Sequence, residues 1–175
     1  MKKSYKEYLK DITTFVFDVD GVFTDGTLLI TTEGEMLRKM SVKDGYALKT
    51  ALQKGYNVCI ITGGTNDGVR KRLRGLGVTD IHMGVHHKED SLNEYLDIYE
   101  ISPENVLYMG DDLPDIPPMR RVALPCCPQD AAQEVKAVAK YISHRKGGDE
   151  CVRDVIEQVM KVRGDWFENF DAQNA

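Results

Sequence analysis

The sequence predicts an α/β fold: a parallel sheet covered by helices, with a β-hairpin flap and no inserted second domain. Two observations lead there. Short apolar runs alternate with stretches of helical period along the chain, the pattern of successive βαβ units. The intervals between the polar strand ends are also too short for another domain: residues 20–62 hold only a hairpin and one helix, and 62–88 only a helix and a short strand. At 175 residues the whole chain reads as one domain with a sizeable core.

Residues 1–11 read as a short amphipathic lead-in. The first buried strand, about 12–17, runs directly into Asp18-Val19-Asp20-Gly21. Two strand-like runs, 27–31 and 35–40, flank Thr32-Glu33-Gly34 and form a hairpin within a flap of about 22–41. A hairpin this apolar outside the main sheet needs a cover, and a second subunit would supply one. Tyr46, Leu48, Ala51 and Leu52 then keep a helical period that Gly55 ends, with Asp44 as a candidate N-cap. The second buried strand, 58–61, ends in Thr62-Gly63-Gly64. Asn66 caps a helix carrying Val69, Leu73 and Leu76, closed by Gly77. A short strand at 81–83 precedes a helix over 88–99. The strand 106–109 ends in Gly110-Asp111-Asp112 and is followed by a Pro-rich turn with a short helix. A further apolar run at 122–124, a helix at 130–140, a strand at 141–143 and a final helix at 150–162 complete the pattern. The tail from Gly164 is polar apart from Trp166, Phe167 and Phe170.

Net charge is −5, which gives no general attraction to nucleic acid or an anionic membrane, so an anionic substrate needs local cations. The first apolar run is too short for a signal peptide or a membrane span, and a cytoplasmic location is expected by default. The four cysteines form no C-x-x-C pair. Free thiols are expected, with Cys59 in the core, Cys126 and Cys127 buried, and no zinc site. His86 and His87 lack a matching ligand set and are assigned to the pocket mouth or to no role.

Right-handed crossovers put the carboxyl ends of parallel strands on one edge, where such sheets bind ligands. Asp18, Asp20, Thr62 and Asp111 fall at such ends, and Lys88 opens a helix just after one. Asp18, Asp20 and Asp111 make a hard oxygen set suited to Mg²⁺, which relieves their repulsion and can clamp a phosphate oxygen. The Thr62 hydroxyl, the backbone N–H groups of Gly63 and Gly64 and the charge of Lys88 suit a phosphoryl group. One aspartate can attack phosphorus, and the second can protonate the leaving oxygen and later deprotonate water. Asp112 and Asp115 are expected to orient Lys88 and Asp111. A phospho-signalling receiver domain also combines acids, Mg²⁺, Thr and Lys at a sheet edge. Its acids are adjacent and its phosphate acceptor is a separate mid-chain Asp, whereas this pair is Asp-x-Asp with a second acidic cluster after the Lys.

These motifs resemble those of the haloacid dehalogenase superfamily of phosphatases, in order. Asp18-Val19-Asp20-Gly21 looks like the first, Thr62 the second, Lys88 the third and Gly110-Asp111-Asp112-Leu113-Pro114-Asp115 the fourth. The resemblance implies that superfamily's three-layer Rossmann-like fold, with Asp18 as nucleophile, Asp20 as acid/base and Asp111 on Mg²⁺. Nearly the whole chain is similar to the capless family of 3-deoxy-D-manno-octulosonate 8-phosphate (KDO 8-phosphate) phosphatases. The matching stretches are residues 17–26, Ser41-Val42-Lys43-Asp44-Gly45, and Gly147-Gly148-Asp149-Glu150-Cys151-Val152-Arg153, where Glu150 replaces a usual Gly. That family is tetrameric, with hairpins packed at its centre and neighbouring subunits closing each site. The resemblance implies substrate or phosphate contacts for Ser41, Val42, Lys43, Asp44, Gly45, Lys49, Gly63, Gly64, Arg72 and Lys88. It also allows Arg153 a contact between subunits. Arg72 lies on a charged helix face that would otherwise be solvated. Gly64 stands where the family often has Arg, removing a cation that could pair with a sugar-acid carboxylate. The expected substrate is the eight-carbon KDO ester, from lipopolysaccharide precursor synthesis, and the alternative a nine-carbon keto-sugar acid 9-phosphate (KDN or sialic acid).

Overall fold

The computed structural model describes residues 3–167. In chain order the elements are α1 (Lys6–Leu9), β1 (Thr14–Phe17), β2 (Leu29–Ile30), β3 (Met36–Leu37), α2 (Val42–Gln53), β4 (Asn57–Ile61), α3 (Asp67–Gly75), β5 (Asp80–His82), α4 (Lys88–Ile98), β6 (Val106–Met109), α5 (Ile116–Met119), β7 (Leu124–Cys127), α6 (Gln133–Val138), β8 (Tyr141–Ile142) and α7 (Cys151–Arg163).

Six strands form one parallel sheet in the order β5-β4-β1-β6-β7-β8, and β2 pairs with β3 in a separate antiparallel hairpin. β1 is central because all four of its residues are buried, which suits a strand covered on both faces. Its side chains alternate. Phe15 and Phe17 join a core with Leu48, Leu73 and Ile156 from α2, α3 and α7, while Val16 joins one with Leu92, Tyr95 and Val135 from α4 and α6. The result is three layers. The chain winds outward from β1 through β4 to β5, then crosses back to β6 on the other side. The direction reverses between β1 and β6, and the crevice at their carboxyl ends is where such a sheet takes its ligand.

Four details depart from the sequence reading. The run predicted at 122–124 is instead β7, with Pro125 inside it. Alternate residues of a parallel strand bond to opposite neighbours: Cys126 O accepts from Gly110 N on the β6 side, Pro125 O from Lys140 N on the β8 side. The missing Pro125 N–H therefore costs nothing on the β6 side. The helix expected over 130–140 is shorter because residues 128–132 turn to dock on the site loop, Ala132 N donating to Asp111 O at 2.9 Å. The hairpin strands are two residues each. Finally, Ser41 caps α2, its Oγ accepting from Lys43 N at 3.2 Å and Asp44 N at 3.5 Å. Asp44 is turned inward, and its Oδ1 accepts from Arg153 N at 2.9 Å in the first turn of α7. It serves the end of a helix whose own N-cap residue, Glu150, makes no side-chain cap.

The four cysteines are buried free thiols. Among the described residues no helix is long and apolar enough to cross a membrane. The hairpin leaves Leu29 and Ile30 about two-thirds exposed. Phe170 lies outside the described residues.

Candidate active site

The carboxyl ends of β1, β4 and β6 meet at a cleft of about 440 Å³. Asp18, Asp20, Thr62, Gly63, Gly64, Lys88, Asp111, Asp112 and Asp115 line it, together with Gly26, Val85, His86 and Pro114. Asp18 directly follows β1. Its backbone N–H continues the ladder to Met109 O at 3.1 Å, and its side chain is held at both oxygens: Oδ1 accepts from Val19 N at 2.7 Å, and Oδ2 lies 3.0 Å from Lys88 Nζ. The chain then turns at Gly21 (φ 83°), and Val22, Phe23 and Thr24 donate to the single carbonyl of Val19. This loop is seated by the C-terminal Gly-Gly pair: Gly148 N donates to Val22 O at 2.9 Å, and a side chain at Gly147 would collide with Gly21 O.

Asp115 is the fully buried hub beneath the cleft. Its Oδ1 accepts from Lys88 Nζ and from Tyr108 Oη, each at 2.8 Å, and its Oδ2 accepts from Asp111 N at 3.0 Å and Asp112 N at 3.4 Å. Asp112 caps the short turn that carries Asp115, its Oδ1 accepting from Leu113 N at 2.9 Å. Burial works against the charge on Lys88, but Asp115 and Asp18 outweigh it and its pKa is raised. Thr62, buried after β4, takes Gly64 N on its hydroxyl at 3.2 Å and leaves that side chain facing the cleft.

Asp18, Asp111 and Asp115 each bring an oxygen within 4.8 Å of the other two, the one such group of metal-ligand type found among the described residues. Asp115 already carries four hydrogen bonds, which leaves Asp18 and Asp111 as the acids with oxygen to spare. Burial and then Asp115 push Asp18 well above the usual carboxylate range, and the same two causes push Asp111 up to about 7, despite Lys88. Two neighbouring carboxyls that each resist ionisation, through burial and Asp115, are the electrostatic complement of a divalent cation, and hard oxygen donors with an open cleft beside them fit Mg²⁺. The Asp20 carboxylate lies outside this group. It is forked instead by Arg38, with Nε at 2.9 Å from Oδ1 and Nη2 at 3.3 Å from Oδ2.

The sequence reading missed two residues, Arg38 and Tyr108. Arg38 sits on the hairpin, far in sequence from every strand end of the parallel sheet. Tyr108 reads as plain core, because nothing in an apolar strand marks one hydroxyl as bonded.

Ser41, Val42, Lys43, Asp44, Gly45, Lys49 and Arg72 do not line the cleft. Gly45 and Arg72 pack on each other, for a side chain at Gly45 would meet Arg72 Nη2. Arg153 lies over the rings of Trp166 and Tyr46, at 5.4 and 5.7 Å. A second cleft, about 480 Å³, is lined by Lys43, Arg145, Glu150, Arg153, Glu157 and neighbours. Its charges pair among themselves, Lys43 with Glu150 at 2.8 Å and Lys161 with Glu157 at 2.6 Å, and it shares no lining residue with the first cleft.

Residues 75–156 match the family model of haloacid dehalogenase-like hydrolases. A 3-deoxy-D-manno-octulosonate 8-phosphate phosphatase of Salmonella typhi is 36% identical over 155 residues, 89% of this chain and 82% of that protein. The solved structure of the Yersinia pestis phosphatase of the same name superposes with a TM-score of 0.90 at 31% identity, covering 93% of this chain and 88% of that one. The Moraxella catarrhalis phosphatase, solved with magnesium, phosphate and KDO, has a TM-score of 0.89 at 30% identity, covering 93% of each chain. With the acids, the lysine and the switch point in these places, the chain belongs to the 3-deoxy-D-manno-octulosonate 8-phosphate phosphatase family of haloacid dehalogenase-like hydrolases.

Proposed function

We propose that this protein is a Mg²⁺-dependent phosphatase that hydrolyses KDO 8-phosphate to KDO and phosphate through a phosphoryl group carried on Asp18. The observation that carries the reading is the placement of Asp18: buried at the switch point, held at both oxygens, and grouped with Asp111 where a cation is needed. Asp18 and Asp111 would hold the Mg²⁺, which when bound neutralises charge on the phosphate. Asp18 Oδ attacks phosphorus and the P–O bond to the sugar breaks. Asp20, facing the same cleft, gives its proton to the departing oxygen and then takes one from the water that releases phosphate. Lys88 stays charged between Asp18 and Asp115 and faces the transferring oxygens, while Thr62 and the N–H groups around Gly63 cradle them.

The exposed apolar hairpin supports an assembly in which copies of the chain cover one another, and a homotetramer fits the family. In that assembly the exposed residues at the start of α2, Val42 and Lys43, would be the part of the Ser41–Gly45 segment able to reach a neighbour's site. Free buried thiols support a reducing, cytoplasmic setting.

The test is a side-by-side assay of KDO 8-phosphate and a nine-carbon keto-acid 9-phosphate with Mg²⁺. Preference for the eight-carbon ester supports the proposal. Equal rates would undo the preference for eight carbons, and the reverse preference would replace it with the nine-carbon reading.

A further inference from the structure

The Asp20–Arg38 fork ties the hairpin to the loop after β1. Most of the hairpin is open to solvent, yet the Arg38 side chain, just past β3, is only 10% exposed. Its guanidinium is used on three sides. Nε and Nη2 face the two oxygens of Asp20, and Nη1 donates to the hairpin's own Met36 O at 2.9 Å. That same carbonyl accepts from Asn66 Nδ2 at 3.1 Å, from the N-cap of α3. The hairpin is thus tied at one point to the loop after β1 and to the loop after β4.

The two oxygens of Asp20 are not held alike. Oδ1 receives the short bond at 2.9 Å; Oδ2 is engaged at 3.3 Å and is the looser of the two. Oδ2 also lies on the side of Gly64, which lines the cleft. A Cβ placed on Gly64 would sit 3.3 Å from it, 3.5 Å from Thr62 Oγ1 and 3.6 Å from Arg38 Nη2. A side chain at position 64 would therefore start among these three groups, and Gly64 leaves that space to them.

We infer that Arg38 is a positioning residue that aims the acid/base Asp20, with the fork and the gap at Gly64 leaving Oδ2 turned toward the reacting phosphate ester. The inference rests on the acid/base reading of Asp20 given above. In the first step the proton on Oδ2 passes to the ester oxygen as its bond to phosphorus breaks. In the second, Oδ2 takes a proton from the attacking water as the Asp18–phosphorus bond breaks. Oδ1 keeps the Arg38 Nε hydrogen bond throughout, so the carboxyl plane stays fixed while its charge changes. A carboxylate that is 39% exposed would otherwise rotate freely. Misaiming a catalytic group by about an ångström is enough to slow a reaction by up to about 100-fold.

The test is a kinetic cycle on KDO 8-phosphate with Mg²⁺ using wild type, Arg38→Met, Arg38→Lys, Asp20→Asn and the Asp20→Asn/Arg38→Met double variant. Sedimentation confirms that each keeps the wild-type assembly. Arg38→Met should lower kcat by about 10- to 100-fold with KM little changed. Arg38→Lys, which keeps one donor for Oδ1, should recover part of the loss. In the double variant, loss of Arg38 should slow the enzyme no further than Asp20→Asn alone. A full additional loss in the double variant would overturn the inference, since Arg38 would then act without Asp20. Loss that follows dissociation of the assembly would overturn it too, leaving Arg38 as a hairpin anchor. An Asp20→Asn variant as fast as wild type would instead remove the acid/base reading itself.

Discussion

Gly21 and Asp111 approach so closely across the switch point that no side chain fits between them: a Cβ on Gly21 would overlap the Asp111 carboxylate. The pair joins the loop after β1 to the loop after β6, and both loops carry acids of the site. Gly21→Ala should therefore do two things. The left-handed backbone at φ 83° costs an alanine about 1–2 kcal/mol. The displaced Asp111 should weaken Mg²⁺ affinity by about 10- to 100-fold. Mg²⁺ titration of phosphate release, alongside a melting curve, checks both.

Lys88 stands between two acids in a nearly closed place, 3.0 Å from Asp18 and 2.8 Å from Asp115. Replacing it by Met leaves both carboxyls without their cation. Breaking a buried pair from one side costs about 3–5 kcal/mol. Lys88→Met should thus lose that much stability in urea and also lose turnover. Adding Asp18→Asn should return part of the stability but none of the activity.

Metal should stabilise the fold through the same acids. Because burial and Asp115 hold back the ionisation of both Asp18 and Asp111, a cation between them is favoured, and saturating Mg²⁺ should raise the melting temperature, by about 2.7 kcal/mol of stabilisation at one hundred times Kd. Asp111→Asn should abolish the rise. A metal-induced shift that survives in Asp111→Asn would mean that the ion binds elsewhere.

Asp44 gives a pH signature away from the cleft. Burial pushes its carboxyl up to about 6, with Glu150 adding to the rise against the Arg153 N–H bond, and its Oδ2 has no hydrogen-bond partner. Unfolded, the same group titrates near 4. Between these values the folded state binds the extra proton, so stability falls as pH rises from about 4 through about 6 and is level above. The span is on the order of 2–3 kcal/mol. Asp44→Asn should remove this decline, so its advantage over wild type grows across that window. Denaturation midpoints at pH 4, 5, 6 and 7 decide it.

Much of this was legible in the sequence because it is local. Asp-x-Asp-Gly after an apolar run, Thr-Gly-Gly after the next and Gly-Asp-Asp after a third each mark a strand end by composition alone, and the parallel topology then brings them together. Tertiary facts were less visible. Arg38 reaches Asp20 only because the hairpin folds back over the site. Asp44 looks like an N-cap by residue type, yet Ser41 takes that place because Asp44 is drawn inward to α7. β7 was hidden by Pro125, whose missing donor matters only if one knows which neighbour it faces. Glu150 shows why the family pattern has Gly there: its backbone is left-handed at φ 74°, and the Glu keeps the turn while pairing with Lys43 and Arg145.

The most direct measurement is to stop the reaction in acid during turnover of KDO 8-phosphate with Mg²⁺, reduce with borohydride, and map the product by mass spectrometry. An acyl phosphate on Asp18 is reduced to homoserine, so the account predicts homoserine at position 18, absent when substrate or Mg²⁺ is withheld. Homoserine at Asp20 or Asp111, or steady phosphate release by Asp18→Asn, would contradict it.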